Sequence, residues 1–165
     1  MTNYDNMVEL AENGITIRAT EPIRYYIQHP EHTFQGRTYR VILYKSQMDN
    51  VQDKSLCVTT YMWDMCNLFH NQRDFNDDIS SWDVSNVIRM NGMFYNNHSF
   101  NQNLNHWDVS KVRTMIGMFY NAKAFNSNIS NWNTNSIEDM AFMFTGASSF
   151  NQDLSEWNVE NVYDF

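Results

Sequence analysis

Apolar positions along the chain recur at a fixed step. Phe75, Phe100, Phe125 and Phe150 lie 25 residues apart, and Trp82, Trp107, Trp132 and Trp157 keep the same step without an insertion. Ile79, Leu104, Ile129 and Leu154 precede each Trp, and Val84, Val109, Thr134 and Val159 follow it. Next come Val87, Val112, Ile137 and Val162, then Met90, Met115 and Met140, then the pairs Met93-Phe94, Met118-Phe119 and Met143-Phe144. The unit reads FNxxIxxWxVxxVxxMxxMFxxxxx. A decayed copy precedes these, with Cys57 in the Trp position followed by Thr59, Met62, Met65, Leu68 and Phe69. The boundary therefore falls near residue 55. Residues 1–55 read as an N-terminal cap segment, and 56–165 as repeats, in units near 56–74, 75–99, 100–124, 125–149 and a partial 150–165.

A strict period of this size marks units that bury their apolar side only by stacking on one another. Twenty-five residues are too few for a four-stranded propeller blade, so Trp82-Asp83 and Trp107-Asp108 are not a WD signal. A leucine-rich-repeat coil does fit. Ile79, Trp82 and Val84 follow its LxxLxL spacing and predict a short strand. Val87, Met90, Phe94 and Asn97 stand at i, i+3, i+7 and i+10 and predict a short helix. Ser85 and Ser110 occupy its N-cap position. The expected fold is α/β, a leucine-rich-repeat-like solenoid of about four to five strand-turn-short-helix coils. A small strand-containing cap is expected before it, from the β-branched and aromatic runs punctuated by Asn13-Gly14, Pro22, Pro30 and Gly36. Asn76, Asn101, Asn126 and Asn151 follow each Phe, where a side-chain amide is expected to hydrogen-bond loop backbone in every copy.

The segments FNDDISSWDVSNVIRMNGMFYN, FNQNLNHWDVSKVRTMIGMFYN and FNQDLSEWNVENV closely resemble the 25-residue repeat of the BspA family of leucine-rich-repeat surface proteins. That form is known from mycoplasma lipoproteins and is also found in protists and giant DNA viruses. The resemblance covers residues 56–165. It implies a solenoid, a place on a cell or virion surface, and a role in adhesion or partner binding without catalysis.

Composition narrows the classes further. A hydrophobic fraction of 42% with 15% aromatics excludes a disordered chain. The 23 asparagines are roughly double an average share. The net charge is −8, and residues 56–165 hold 5 basic against 12 acidic side chains, the wrong sign for nucleic acid. No apolar run approaches the ~20 residues of a membrane span, and MTNYDNMVEL has neither region of a signal peptide. Cys57 and Cys66 are too few for a disulfide framework and read as small buried hydrophobes, their pairing left open.

No constellation for chemistry emerges. His29, His32, His70, His98 and His106 lack completing ligands at metal-site spacings and read as solvated loop histidines. Met90, Met115 and Met140 repeat at core positions and read as core filler. No cofactor, metal site or catalytic residue is predicted, and the chain is read as no enzyme. The candidate binding face is the set of non-core positions beside each Trp, namely Ser81, Asp83, His106, Asp108, Asn131, Asn133, Glu156 and Asn158. A protein or glycan ligand is expected there, on the exposed strand face. The sequons at Asn97 and Asn128 are weighed as glycosylation sites, the second being poorer because Ile129 is a core position. Phe165 stands at the Met140 position of the next unit, so a continuing chain or a packed end is expected, and the alternative function is a structural or assembly component, for example of a virion or surface layer, self-associating end to end through its uncapped C-terminal coil.

Overall fold

The computed structural model describes residues 8–11, 14, 16–20, 26 and 30–165. Asn13, Pro22 and His29 lie outside them. Regular β structure is confined to the first third of the chain. Strand β1 (Val8–Leu10) pairs antiparallel with β2 (Ile17–Ala19). Strand β3 (Glu31–Phe34) pairs antiparallel with β4 (Arg37–Val41). Gln35 and Gly36 between them both have positive φ, 49° and 76°, the pair of left-handed residues that a two-residue hairpin matching strand twist requires. After two 3₁₀ segments, Lys45–Asn50 and Lys54–Leu56, β4 takes a parallel partner in β5 (Cys57–Val58). Val8, Ile17, Tyr26, Tyr39, Val41 and Val58 form a core beneath these two sheets.

The predicted leucine-rich-repeat solenoid is not formed. Among the described residues, 59–165 contain no strand and no helix; each unit is a succession of tight turns. The expected strand fails because the Trp82 N–H donates to the Ile79 carbonyl at 3.1 Å and the Val87 N–H to the Val84 carbonyl at 2.9 Å, so these apolar residues sit at turn corners. The expected helix over 87–97 fails because Gly92 and Asn96 have φ of 58° and 55°. A left-handed residue every fourth position cannot propagate a right-handed helix. Nor do Ser85 and Ser110 cap one; their N–H groups are held by the carboxylates of Asp83 and Asp108, both at 3.1 Å.

The turns divide their backbone donors between two tasks. Met93, Tyr95 and Asn97 donate three residues back within the unit, while Met90, Gly92, Phe94 and Asn96 donate to Thr114, Ile116, Met118 and Tyr120 of the next. The pattern repeats from Met65 to Asn71 and from Met115 to Asn121. A single parallel bridge per unit marks its centre, running Asp64, Arg89, Thr114, Asp139, Asp164. Side chains stack in the same register. Phe69, Phe94, Phe119 and Phe144 lie 5.4–5.8 Å apart, and Phe75, Phe100, Phe125 and Phe150 form a second column 5.7–6.2 Å apart. Rings of the two columns face each other at 3.8–4.1 Å. The indole N–H groups of Trp82, Trp107, Trp132 and Trp157 each reach back 28 residues, to the carbonyls of Lys54, Ile79, Leu104 and Ile129, at 2.8–3.2 Å. The methionines Met90, Met115 and Met118 are fully buried between.

Trp107→Ala removes a buried ring and the indole hydrogen bond to the Ile79 carbonyl, which keeps only the Trp82 N–H, so a cost of about 3–5 kcal/mol is expected. Asp108→Ala loses only an exposed turn cap and is expected to cost about 1 kcal/mol. Urea denaturation of both variants checks the contrast; equal costs would contradict the inward placement of the Trp.

Candidate functional site

The eight positions predicted as a binding face do not form one surface. Asp83 is only 2% exposed, closed over by β2, where Arg18 faces it at 3.4 Å. Ser81 is half-buried and its carbonyl accepts the Ile17 N–H. His106, Asp108, Asn131, Asn133, Glu156 and Asn158 are exposed. Asp108, Asn133 and Asn158 each accept the N–H two residues on, a turn-forming role that accounts for Asp or Asn there without any ligand. No strand carries these residues.

The other sequence-level candidates resolve similarly. Asn97 is fully buried, its amide bonded to the Phe75 carbonyl and to the N–H groups of Ser99 and Phe100, so the first sequon is closed in the folded protein and the exposed Asn128 is the accessible one. Cys57 and Cys66 are both free thiols. Burial pushes the Cys57 thiol up to about 12, and Cys66 is raised too, by burial and by the Asp64 carboxylate, so neither is an activated nucleophile. Among the described residues no three His, Cys, Asp or Glu side chains gather as metal ligands.

A groove of about 600 Å³ lies elsewhere, across four units on one side of the bridge column. Gly92 and Gly117 line it, both in left-handed turns. A Cβ at Gly92 would collide with the Asn67 side-chain oxygen unless that side chain shifted, and the left-handed backbone, φ 58°, favours glycine there in any case. His70, Tyr95 and Tyr120 stand 25 residues apart and stack nearly parallel, with centroids 4.7 Å and 4.5 Å apart. The Nδ1 of His70 is closed off and has no hydrogen-bond partner among the described residues; stacking, not hydrogen bonding, orients this ring. The column ends at Tyr120, because the next copy is Thr145. Ile116 and Phe142 complete the groove as exposed apolar groups.

Phe142 is the outlier. It occupies the position of Asn67, Gly92 and Gly117, takes their left-handed backbone with φ 58°, and leaves its ring 62% exposed. A bulky side chain there carries strain of roughly 1–2 kcal/mol with no burial to offset it. Sequence reasoning passed over this site because the stacked column changes residue type from His to Tyr to Thr. The signal present was the step of 25 linking His70, Tyr95 and Tyr120.

Phe142→Gly is expected to leave stability unchanged or raise it by up to about 1 kcal/mol, the relief of strain exceeding the added chain entropy. Thermal denaturation checks this; a loss of stability would show that the exposed ring packs on the fold.

The family described as "Mycoplasma protein of unknown function, DUF285" matches residues 42–157, from the first buried residue after β4 to the last Trp of the repeat. No curated protein and no solved structure matches the chain. Among the described residues no helix is long and apolar enough to cross a membrane. The match spans well over half of the sequence and every complete copy of the Phe-Trp-Met unit. The chain belongs to the DUF285 family.

Proposed function

We propose that the protein is a non-enzymatic interaction protein, of the BspA-like surface type, that binds a protein or glycan through the exposed side of its stacked units. The observation that carries this reading is the groove bordered by His70, Tyr95, Tyr120 and Phe142. It has the size of a ligand site, is mostly apolar with a few polar groups, and holds an exposed aromatic ring in a strained backbone. Two exposed apolar groups of the repeats, Ile116 and Phe142, line it together. Contiguous apolar surface marks interaction sites more than scattered exposure does. Of the polar residues beside the Trp positions, Asp83 is buried and Asp108, Asn133 and Asn158 are engaged in turns.

The test is binding of the intact chain to a glycan array and to an array of purified extracellular proteins, repeated with two variants. One carries Ile116→Ser with Phe142→Gly in the groove; the other carries His106→Ala, Asn131→Ala and Glu156→Ala on the predicted face. The groove variant is expected to lose its ligands by about tenfold or more, two apolar contacts being removed, while the other retains them. Loss in the second variant alone would move the site back to the face beside the Trp positions.

A further inference from the structure

Beside the Trp column the chain binds a strand of its own. The Ile17 N–H donates to the Ser81 carbonyl at 2.9 Å in the second unit, and the Ala19 N–H, two residues on, to the Thr60 hydroxyl at 3.0 Å in the first. Between them Arg18 faces Asp83 at 3.4 Å. β2 therefore runs down the stack and sets alternate N–H groups on successive units. The spacing permits it. Alternate residues of a strand lie roughly 6.4–6.8 Å apart, and the Trp rings step by 6.0–6.4 Å between neighbouring units. Along the His70, Tyr95, Tyr120 column the step is only 4.5–4.7 Å, too short for a strand to follow.

The same acceptors recur two units up. Asn131 stands at the position of Ser81, Ser110 at that of Thr60 and Asn133 at that of Asp83. Neither the Asn131 carbonyl nor the Ser110 hydroxyl makes a hydrogen bond among the described residues, and Asn131 is exposed. Ser110 opens onto a second groove, of about 700 Å³, that continues past Lys111, Asn135 and Ser136. In the first unit the equivalents of Ser110 and Lys111, Thr60 and Tyr61, are covered by the cap, whose Tyr26 ring lies 5.8 Å from that of Tyr61. Both cations of this groove are engaged, Lys111 with Asn86 at 2.7 Å and Arg113 with Glu138 at 3.5 Å, so no charge is selected. Two steps of 6.0–6.4 Å separate these acceptors from β2, more than the roughly 10 Å at which strands pack face to face. We propose that the third and fourth units dock an extended segment of another polypeptide, running as β2 does, with one backbone N–H on the Asn131 carbonyl and the next but one on the Ser110 hydroxyl. The side chain between them meets Asn133, so an uncharged hydrogen-bonding residue stands where β2 carries Arg18. Main-chain hydrogen bonds supply the affinity, as in strand addition to a sheet edge. This site is separate from the groove across Gly92 and Gly117 and stands without it.

Titration of the whole chain with a capped heptapeptide that copies residues 14–20 with Arg18→Gln, followed by NMR, tests it. Saturable shifts are expected at the amides of Ser110, Asn131 and Asn133, with a Kd below about 1 mM. The same peptide N-methylated at the residues that copy Ile17 and Ala19 keeps every side chain and loses both donors; it is expected to bind at least about tenfold more weakly. Ser110→Ala is expected to weaken binding by about fivefold with Tm unchanged. No binding at about 1 mM peptide, or binding indifferent to N-methylation or to Ser110→Ala, would overturn the assignment. Shifts confined to Ser81 and Thr60 would overturn it as well, since the peptide would then displace β2. So would shifts confined to Gly92, Tyr95 and Tyr120, which would put the peptide in the other groove.

Discussion

Every unit of the repeat depends on backbone N–H groups that leave their own unit for the next. Met90, Gly92, Phe94 and Asn96 donate forward, while Met93, Tyr95 and Asn97 close turns within the unit. Alternation of this kind needs the chain to reverse its handedness at regular points. Gly92 and Asn96 supply those points, as do Asn67 and Asn71 before them and Gly117 and Asn121 after. Once the donors are shared this way, identical side chains must fall in register, and the two Phe columns and the Trp column follow. Stability then rests on contacts between neighbouring units, as in other stacked repeats.

The abundance of asparagine has the same origin. Asn76, Asn101 and Asn126 each accept the backbone N–H of the equivalent Asn one unit on, at 2.8–3.0 Å. A second column runs through Asn71, Asn96 and Asn121, whose amides bond head to tail at 2.8 Å and 3.0 Å. Those three residues are also left-handed, a conformation that Asn tolerates better than most. Asp78, Asn103, Asn128 and Asp153 hold the N–H two residues on, before each Trp. Units that form no strand or helix after β5 must satisfy their backbone by other means, and short amide and carboxylate side chains provide them.

What was legible in the sequence follows from what the period encodes. The core positions at Phe100, Leu104, Trp107, Val112 and Met115 are all buried, and the Asn76 column bonds backbone as its fixed identity implied. The secondary structure was not legible from apolar spacing, because successive three-residue turns place side chains inward at the same intervals as a strand followed by a helix. Gly117 and Asn121, four apart and unfavourable inside a helix, carried the contrary signal. The groove was hidden for a different reason. Its defining residue, Phe142, breaks the Asn67, Gly92, Gly117 column, a departure in register whose left-handed backbone apolar spacing alone does not show.

Gly117 offers the most direct test of the left-handed stacking on which the fold depends. In the helix suggested by the spacing, Gly117→Ala would stabilise the protein by roughly 0.5–1 kcal/mol. In the turn seen here φ is 54°, and an added Cβ meets nothing closer than 3.6 Å, so backbone conformation alone decides the sign. Equilibrium denaturation of Gly117→Ala is expected to show a loss of about 1–2 kcal/mol. A gain in stability would contradict the alternating turns and the unit-to-unit hydrogen bonds built on them.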